Sequence, residues 1–296
     1  MPLHSVDLHC HSTASDGTLA PAALVERAVA QGVKLLALTD HDCISGLPQA
    51  RAAALALGVQ WVDGVEISCL WRGMTVHLLG YGFEASAPLF SQCLQDLQQG
   101  RWQRAEEIAR RLAARGMPDC LQGARTCQAP LGDAENAPAR PHFADYLVQQ
   151  GFVRDRSEAF AKWLGAGKLC DVKQHWPSFA DAMAALHSAS AWISLAHPCH
   201  YPLTRSKRRR LVSDFCAAGG HAIEVANGMQ GELQLGTLAQ LAREFGLLAS
   251  AGSDFHAPRD YCELGLYRTP AADLAPLWPY LEKRLSPAAR VSLEAL

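Results

Sequence analysis

Short apolar runs alternate with longer amphipathic stretches, and the alternation appears at both ends of the chain. Lys34–Thr39 (KLLALT) has an unbroken apolar interior, the pattern of a strand buried on both faces. Val6–His11 precedes it as a strand and Val59–Ser68 follows as another. Met74–Leu79 then reads as the second arm of a hairpin across Arg72-Gly73. Strand patterns return at Ala191–Ala196, His221–Ala226 and Leu247–Gly252. Between them Leu19–Ala30, Pro48–Leu57, Ser206–Ala218 and Leu233–Phe245 carry helical periodicity. Thr18 is the expected N-cap of the first helix, with Pro21 in its first turn and Gly32 behind it; Gly58 stops the second.

Alternating strands and helices predict parallel strands with helices outside. From Glu84 to about residue 175 the strand signal vanishes. Leu94–Ala114, Pro141–Gln150 and Ser157–Leu164 look helical, and 120–139 is weakly patterned and rich in turn residues. This predicts a barrel domain from 1–83 and 176–296, with 84–175 as an α-helical insertion capping the active site. The fold class expected is α/β, a (β/α) barrel, with a doubly wound open sheet as the rival. The barrel is preferred because polar residues at the ends of widely separated strands must converge on one point.

Composition narrows the field. The 296 residues are 49% hydrophobic and 19% charged, enough for a sizeable core. A net charge of −2 gives no global basic field for nucleic acid or anionic lipid, so an anionic substrate must be attracted locally. There is no basic-then-apolar leader and no apolar window of about 18 residues. The ten cysteines form no CxxC pair. Together these predict reduced thiols, a cytoplasmic location, no membrane partner and no obligate protein partner.

His9 and His11 lie one residue apart on a strand, so their side chains share a face while Cys10 points away. Asp16 follows on a Ser/Asp/Gly-rich loop. His41, Glu66, His77, His197, Asp254 and His256 each stand in or just past a strand. Six imidazoles and three carboxylates exceed what one ion needs, and mixed ligation suits Zn, Mn or Fe. Asp40 reads either as a residue orienting an imidazole or as a strand-end cap. Cys10, Cys43 and Cys199 read as buried filler.

These positions resemble the motifs of the PHP (polymerase and histidinol phosphatase) family: His9-x-His11 with Asp16, Thr39-Asp40-His41, Glu66, His77, Ala196-His197-Pro198 and Gly252-Ser253-Asp254-Phe255-His256. The resemblance implies a distorted (β/α)7 barrel of the amidohydrolase superfamily. It also implies three divalent ions, Mn2+ first, with Zn2+ or Fe2+ as alternatives. His9, His11, Glu66 and Asp254 would hold one, Glu66 bridging to a second with His77 and His197, and Asp16, His41 and His256 a third. Three such ions outweigh the three carboxylates and attract phosphate. They also lower the pKa of water, so the implied reaction is hydrolysis of a phosphate ester.

Substrate contacts are expected from the insertion and from the loop after His197. Arg101 and Arg104 share a helix face. Arg140-Pro141-His142 starts a helix, where an anion is favoured. His200 and Arg205 follow His197 closely, while Lys207–Arg210 reads as a solvated helix start. Together with the segment Phe160–Gly165 these features are similar to a bacterial branch that removes the 3′-phosphate of nucleoside 3′,5′-bisphosphates, with relatives that trim short RNA from its 5′ end. The similarity implies that Arg101, Arg104, Arg140 and Arg205 hold the other phosphate. His142 or His200 would hold the scissile phosphate or protonate the leaving oxygen. The alternatives are a histidinol-phosphate phosphatase, for which no acidic partner for the amine is evident, and a non-catalytic metal-bound module, against which the full ligand set argues.

Overall fold

Residues 4–128, 136–165, 167–172, 176–259 and 262–282 are described in a computed structural model. One seven-stranded sheet contains β1 (Val6–Asp7), β2 (Leu35–Leu38), β3 (Gln60–Trp71), β4 (Met74–Tyr81), β5 (Trp192–Leu195), β6 (Ala222–Asn227) and β7 (Leu248–Gly252), neighbours following sequence order. β1 to β3 are parallel, as are β5 to β7, and β4 runs antiparallel to both its neighbours. The ends join, because the Leu8 N–H donates to Ala251 O at 3.1 Å and the Asp254 N–H to His9 O at 2.8 Å. The sheet is therefore a barrel and not a doubly wound open sheet.

The antiparallel strand is its distortion. β3 and β4 form the expected hairpin, turning at Arg72 (φ 50°) and Gly73 (φ 78°). Both residues are left-handed, as a two-residue turn matching the strand twist requires.

The apolar run of β2 is explained by burial on both faces. Leu35 and Ala37 face the barrel interior with Val62, Leu79 and Tyr81. Leu36 and Leu38 face outward, against Leu24 of α1 (Pro21–Ala30) and Ala50 of α2 (Leu47–Leu57). Thr18 does not cap α1. Its hydroxyl instead donates to His256 O at 3.1 Å, and Ala20 occupies the N-cap.

The strand-free region is helical and begins with α3 (Pro88–Ala113), which starts before the expected Leu94. Phe90, Leu94 and Leu97 belong to the barrel's outer core, whereas Ala105, Ile108 and Leu112 belong to a separate core with Phe143, Leu147 and Leu164. One helix thus serves two cores. α4 (Cys120–Gln128) lies in the stretch read as turn-rich; Cys120, Ala124 and Gln128 bury one face, a four-residue spacing obscured by Gly123 and Thr126. The remainder of that stretch, 129–135, lies outside the described residues. α5 (Arg140–Gln149) and α6 (Arg156–Ala159) follow, and Phe160–Leu164 forms one π-helical turn.

α7 (Phe179–Ser188), α8 (Arg205–Ala217) and α9 (Glu232–Phe245) cover the second half of the barrel, and α10 (Trp278–Leu281) sends Leu281 into the interior core. Among the described residues no helix is long and apolar enough to cross a membrane.

The closure of the barrel is tightest at Gly252, where a Cβ would meet the His9 backbone nitrogen at 2.5 Å. Gly252→Ala should therefore destabilise the protein by about 1–3 kcal/mol, read as a lowered Tm. Gly236, within α9 with open space around it, is the control: its replacement by Ala should hold or raise stability by up to ~1 kcal/mol, read as an unchanged or raised Tm.

Candidate active site

The nine residues singled out from the sequence as ligands converge at one end of the barrel. They fall into four overlapping groups of mutually close donor atoms: His11, Asp16, His41 and His256; His9, His197 and Asp254; His9, His11 and Glu66; and His41, Glu66 and His77. Glu66 is fully buried at the centre. Its Oε1 lies 2.9 Å from His197 Nε2 and 3.0 Å from His77 Nδ1; its Oε2 lies 2.9 Å from His41 Nδ1, 3.3 Å from His11 and 3.4 Å from His9. Asp254 Oδ1 approaches His11 and His9 at 3.3 and 3.5 Å, and Asp16 Oδ1 lies 3.4 Å from His256 Nε2.

Many of these atoms aim at shared points and not at one another. His41 Nδ1 and Glu66 Oε2 are close, yet neither has a hydrogen-bond partner, and the same holds for buried Asp16 Oδ1. Buried polar atoms left in this way cost free energy unless a further group satisfies them. The protons are also divided unevenly. Burial, then His256 and His41, push His11 down to about 3. Burial opposes protonation of His256, but Asp16 outweighs it and raises the group to about 10. Burial alone would raise Glu66, yet His41, His77 and His9 hold its carboxyl well below the usual carboxylate range. A donor set of imidazoles and ionised carboxylates with unsatisfied lone pairs fits divalent cations, which would displace the ring proton that His256 otherwise keeps.

A second layer of carboxylates orients the first. Glu224, fully buried in β6, meets His9 Nδ1 at 2.9 Å through one oxygen and accepts the His197 N–H at 2.7 Å through the other. It thereby turns His9 Nε2 toward the centre. Asp7 accepts the N–H groups of His9, Ser253 and Gly265. Asp40 accepts the Ser12 N–H at 2.8 Å and both the Ser12 and Ser15 hydroxyls, so it organises the loop that carries Asp16 and touches no imidazole. Neither Glu224 nor Asp7 was singled out from the sequence. The available signal was a lone carboxylate inside the apolar run Ala222–Ala226.

Strand ends are locally strained to bring these groups together. Asp42, His197 and Asp254 have φ of 53°, 29° and 53°. Such conformations cost about 1–3 kcal/mol each. Each is secured by its own N–H, bonded to Glu66 O, to Glu224 and to His9 O respectively.

A cavity of about 630 Å3 adjoins the cluster, lined by Asp16, His41, His77, Arg101, Arg104 and Arg140 among others. Arg101 is committed elsewhere: it forms an ion pair with buried Asp42, whose other oxygen accepts the Ser68 N–H at 2.6 Å. Gln98 adds a bond to Asp42 O at 2.8 Å, so α3 is tied to the strand end bearing His41. Arg104 has a buried Nε with no partner. Burial and the neighbouring Arg140 and Arg101 push its pKa down to about 9. Arg140 donates to Leu164 O at 3.3 Å and lies 6.0 Å from the Phe160 ring centroid.

The other expected contacts separate. His142 is buried, accepts the Ala139 N–H at Nδ1 and does not line the cavity. Arg205 is exposed on α8, donates to Gln240 of α9 and does not line the cavity either. His200, exposed, stacks on His197 with centroids 5.2 Å apart and does not line the cavity. Arg208, read as part of a solvated run, instead donates to Pro198 O and Leu203 O and braces the loop after His197.

Residues 7–109 match the PHP domain. The chain is 42% identical to a 5′-3′ exoribonuclease of Haemophilus influenzae over 92% of this chain and 97% of that protein. It is 39% identical to a 3′,5′-nucleoside bisphosphate phosphatase of Chromobacterium violaceum, covering 95% of this chain and 98% of that protein. A solved amidohydrolase from Chromobacterium violaceum, with bound sulfate, superposes with a TM-score of 0.88 at 38% identity, over 97% of this chain and 99% of that one. With the barrel, its convergent ligand set and similarity along most of its length, the protein belongs to the PHP family.

Proposed function

We propose that the protein is a metal-dependent phosphoester hydrolase that removes the 3′-phosphate of nucleoside 3′,5′-bisphosphates, releases nucleoside 5′-monophosphate, and also trims short 5′-phosphorylated oligonucleotides. The observation that carries this reading is the pairing of the nine-residue donor cluster with Arg104 and Arg140 across one cavity. Arg104, with a buried Nε that lacks a partner, stands beside Arg140 and Arg101, whose repulsion outweighs the attraction of Asp171 and Asp42, so an added anion is favoured there. A second phosphate on the substrate supplies that anion. The names of the relatives support the same chemistry, and sulfate on a related protein has the charge and shape of phosphate.

We assign three divalent ions, Mn2+ first among them, to His9, His11, Glu66 and Asp254; to Glu66, His77 and His197; and to Asp16, His41 and His256. When bound, such ions activate water near neutral pH and neutralise the phosphoryl oxygens. The chain's own residues do the rest. Arg104 and Arg140, from the 84–175 insertion, hold the 5′-phosphate away from the cluster, while Arg101 acts through Asp42 as a positioning residue. Proton delivery to the leaving 3′-oxygen is assigned to His200. His200 is placed for this by its stacking on His197. His142 is occupied as a helix cap.

Three outcomes test this. Glu66→Ala or Asp254→Ala should abolish turnover and lose bound metal by elemental analysis; retained activity would overturn the ligand assignment. Arg104→Ala should raise KM for a bisphosphate roughly tenfold to a hundredfold, the worth of a charge-assisted hydrogen bond, and barely change KM for an aryl phosphate. His200→Ala should slow release from a nucleoside 3′-phosphate by on the order of 100-fold and leave an aryl phosphate with a good leaving group little affected. Equal losses on both substrates would make His200 a packing neighbour of His197.

A further inference from the structure

A second cavity, of about 550 Å3, meets the first along Asp16, Pro141 and Phe160 and continues past His256 to Thr18, Ser157 and Ala257. Its volume lies in the ~300–1,000 Å3 range of sites that hold a nucleotide-sized ligand. The donor cluster therefore stands at a junction between two arms. The arms differ in charge. The first holds Arg104 with its unpartnered Nε, beside Arg140. In the second, Arg156 is held in a two-pronged ion pair with Asp145, and Arg259 stands on the same wall as Asp254. A terminal phosphomonoester, which carries close to two charges, suits the first. An internal phosphodiester, with one, suits the second.

We propose that the second arm is the path taken by the remaining chain when a 5′-phosphorylated oligonucleotide is bound, a proposal that rests on the reading of the site given above. The stoichiometry of the cut demands such a path. The oxygen of water bonds to the scissile phosphorus, the P–O3′ bond breaks, and the proton goes to the 3′-oxygen of the released nucleoside 5′-monophosphate. In a bisphosphate the remaining phosphoryl oxygens are free. In an oligonucleotide one of them is the 5′-oxygen of the next nucleotide, and that chain keeps the phosphate after cleavage. With the first nucleotide's 5′-phosphate in the arginine arm, the chain must leave the cluster in another direction. The arm beyond Asp16 and His256 provides it.

Phe160 lines both arms, so its ring stands where the two paths diverge. It opens the π-helical turn, closed by the Gly165 N–H on Phe160 O at 2.9 Å, and such turns recur at functional sites. An aromatic face at that point offers a base a sequence-tolerant stacking surface.

Ser157, exposed in the first turn of α6, is the position at which to narrow the arm. Ser157→Trp narrows it with an indole. Ser157→Glu repels a diester there while suiting a helix N-terminus, so it preserves the fold. The Mn-loaded full chain is assayed on a nucleoside 3′,5′-bisphosphate and on a 5′-phosphorylated dinucleotide and tetranucleotide. Each variant should lose at least tenfold more kcat/KM on the oligonucleotides than on the bisphosphate, whose turnover doubles as the folding control. Equal changes on all substrates in the Glu variant would overturn the chain path and leave the phosphatase reading standing. Wild-type protein that hydrolyses none of them would overturn that reading itself.

Discussion

Everything at the mouth of this barrel depends on one buried carboxylate. Glu66 has no access to solvent and lies within 3.4 Å of five imidazoles from four different segments of the chain. Burying a carboxylate is costly unless charge and hydrogen bonds compensate it. Here the compensation comes from imidazoles that themselves need proton or metal partners. Ionised Glu66 and the rings around it thus form a donor set that divalent cations would satisfy. The strained strand ends at Asp42, His197 and Asp254 are tolerated because each is secured by a backbone bond close to that centre.

The outer carboxylates extend the same logic. Glu224 holds a ring of one strand end and the backbone of another, Asp7 clamps the β1 and β7 ends, and Asp40 fixes the loop of Asp16. Buried polar networks of this kind are stable only when nearly every member is satisfied, which gives the cluster one geometry. Asp42 carries that geometry outward. By pairing with Arg101 and accepting Gln98 it couples the position of α3 to the strand that presents His41. The helical region that supplies the cavity's arginines is thus registered on the barrel through a residue adjacent to the candidate ligand His41.

The shared role of α3 explains why the helical region needs no sheet of its own. Its first half is an outer helix of the barrel and its second half the floor of a separate apolar core. The cavity lies along the seam, lined by Asp16, His41 and His77 from the barrel and by Arg101, Arg104, Arg140 and Asp171 from the helical region.

Much of this was legible in the chain itself. The apolar run Leu35–Leu38 announces a strand buried on both faces, and strand-end histidines and carboxylates announce a convergent polar centre, because strand alternation and helix periodicity are local properties of the backbone. The ends of α1 and α3, and the helix hidden at Cys120–Gln128, were not legible, since tertiary packing overrides weak local signals there. Nor could spacing separate Arg101, Arg104 and Arg205: three arginines of one type became a tether, a half-buried cation whose Nε lacks a partner, and a surface residue. A side chain's partner is set by which distant segment folds beside it. That is why the sequence by itself determined the barrel pattern and the candidate ligands, while only the tertiary structure decided which charges are spent within the fold and which face the cavity.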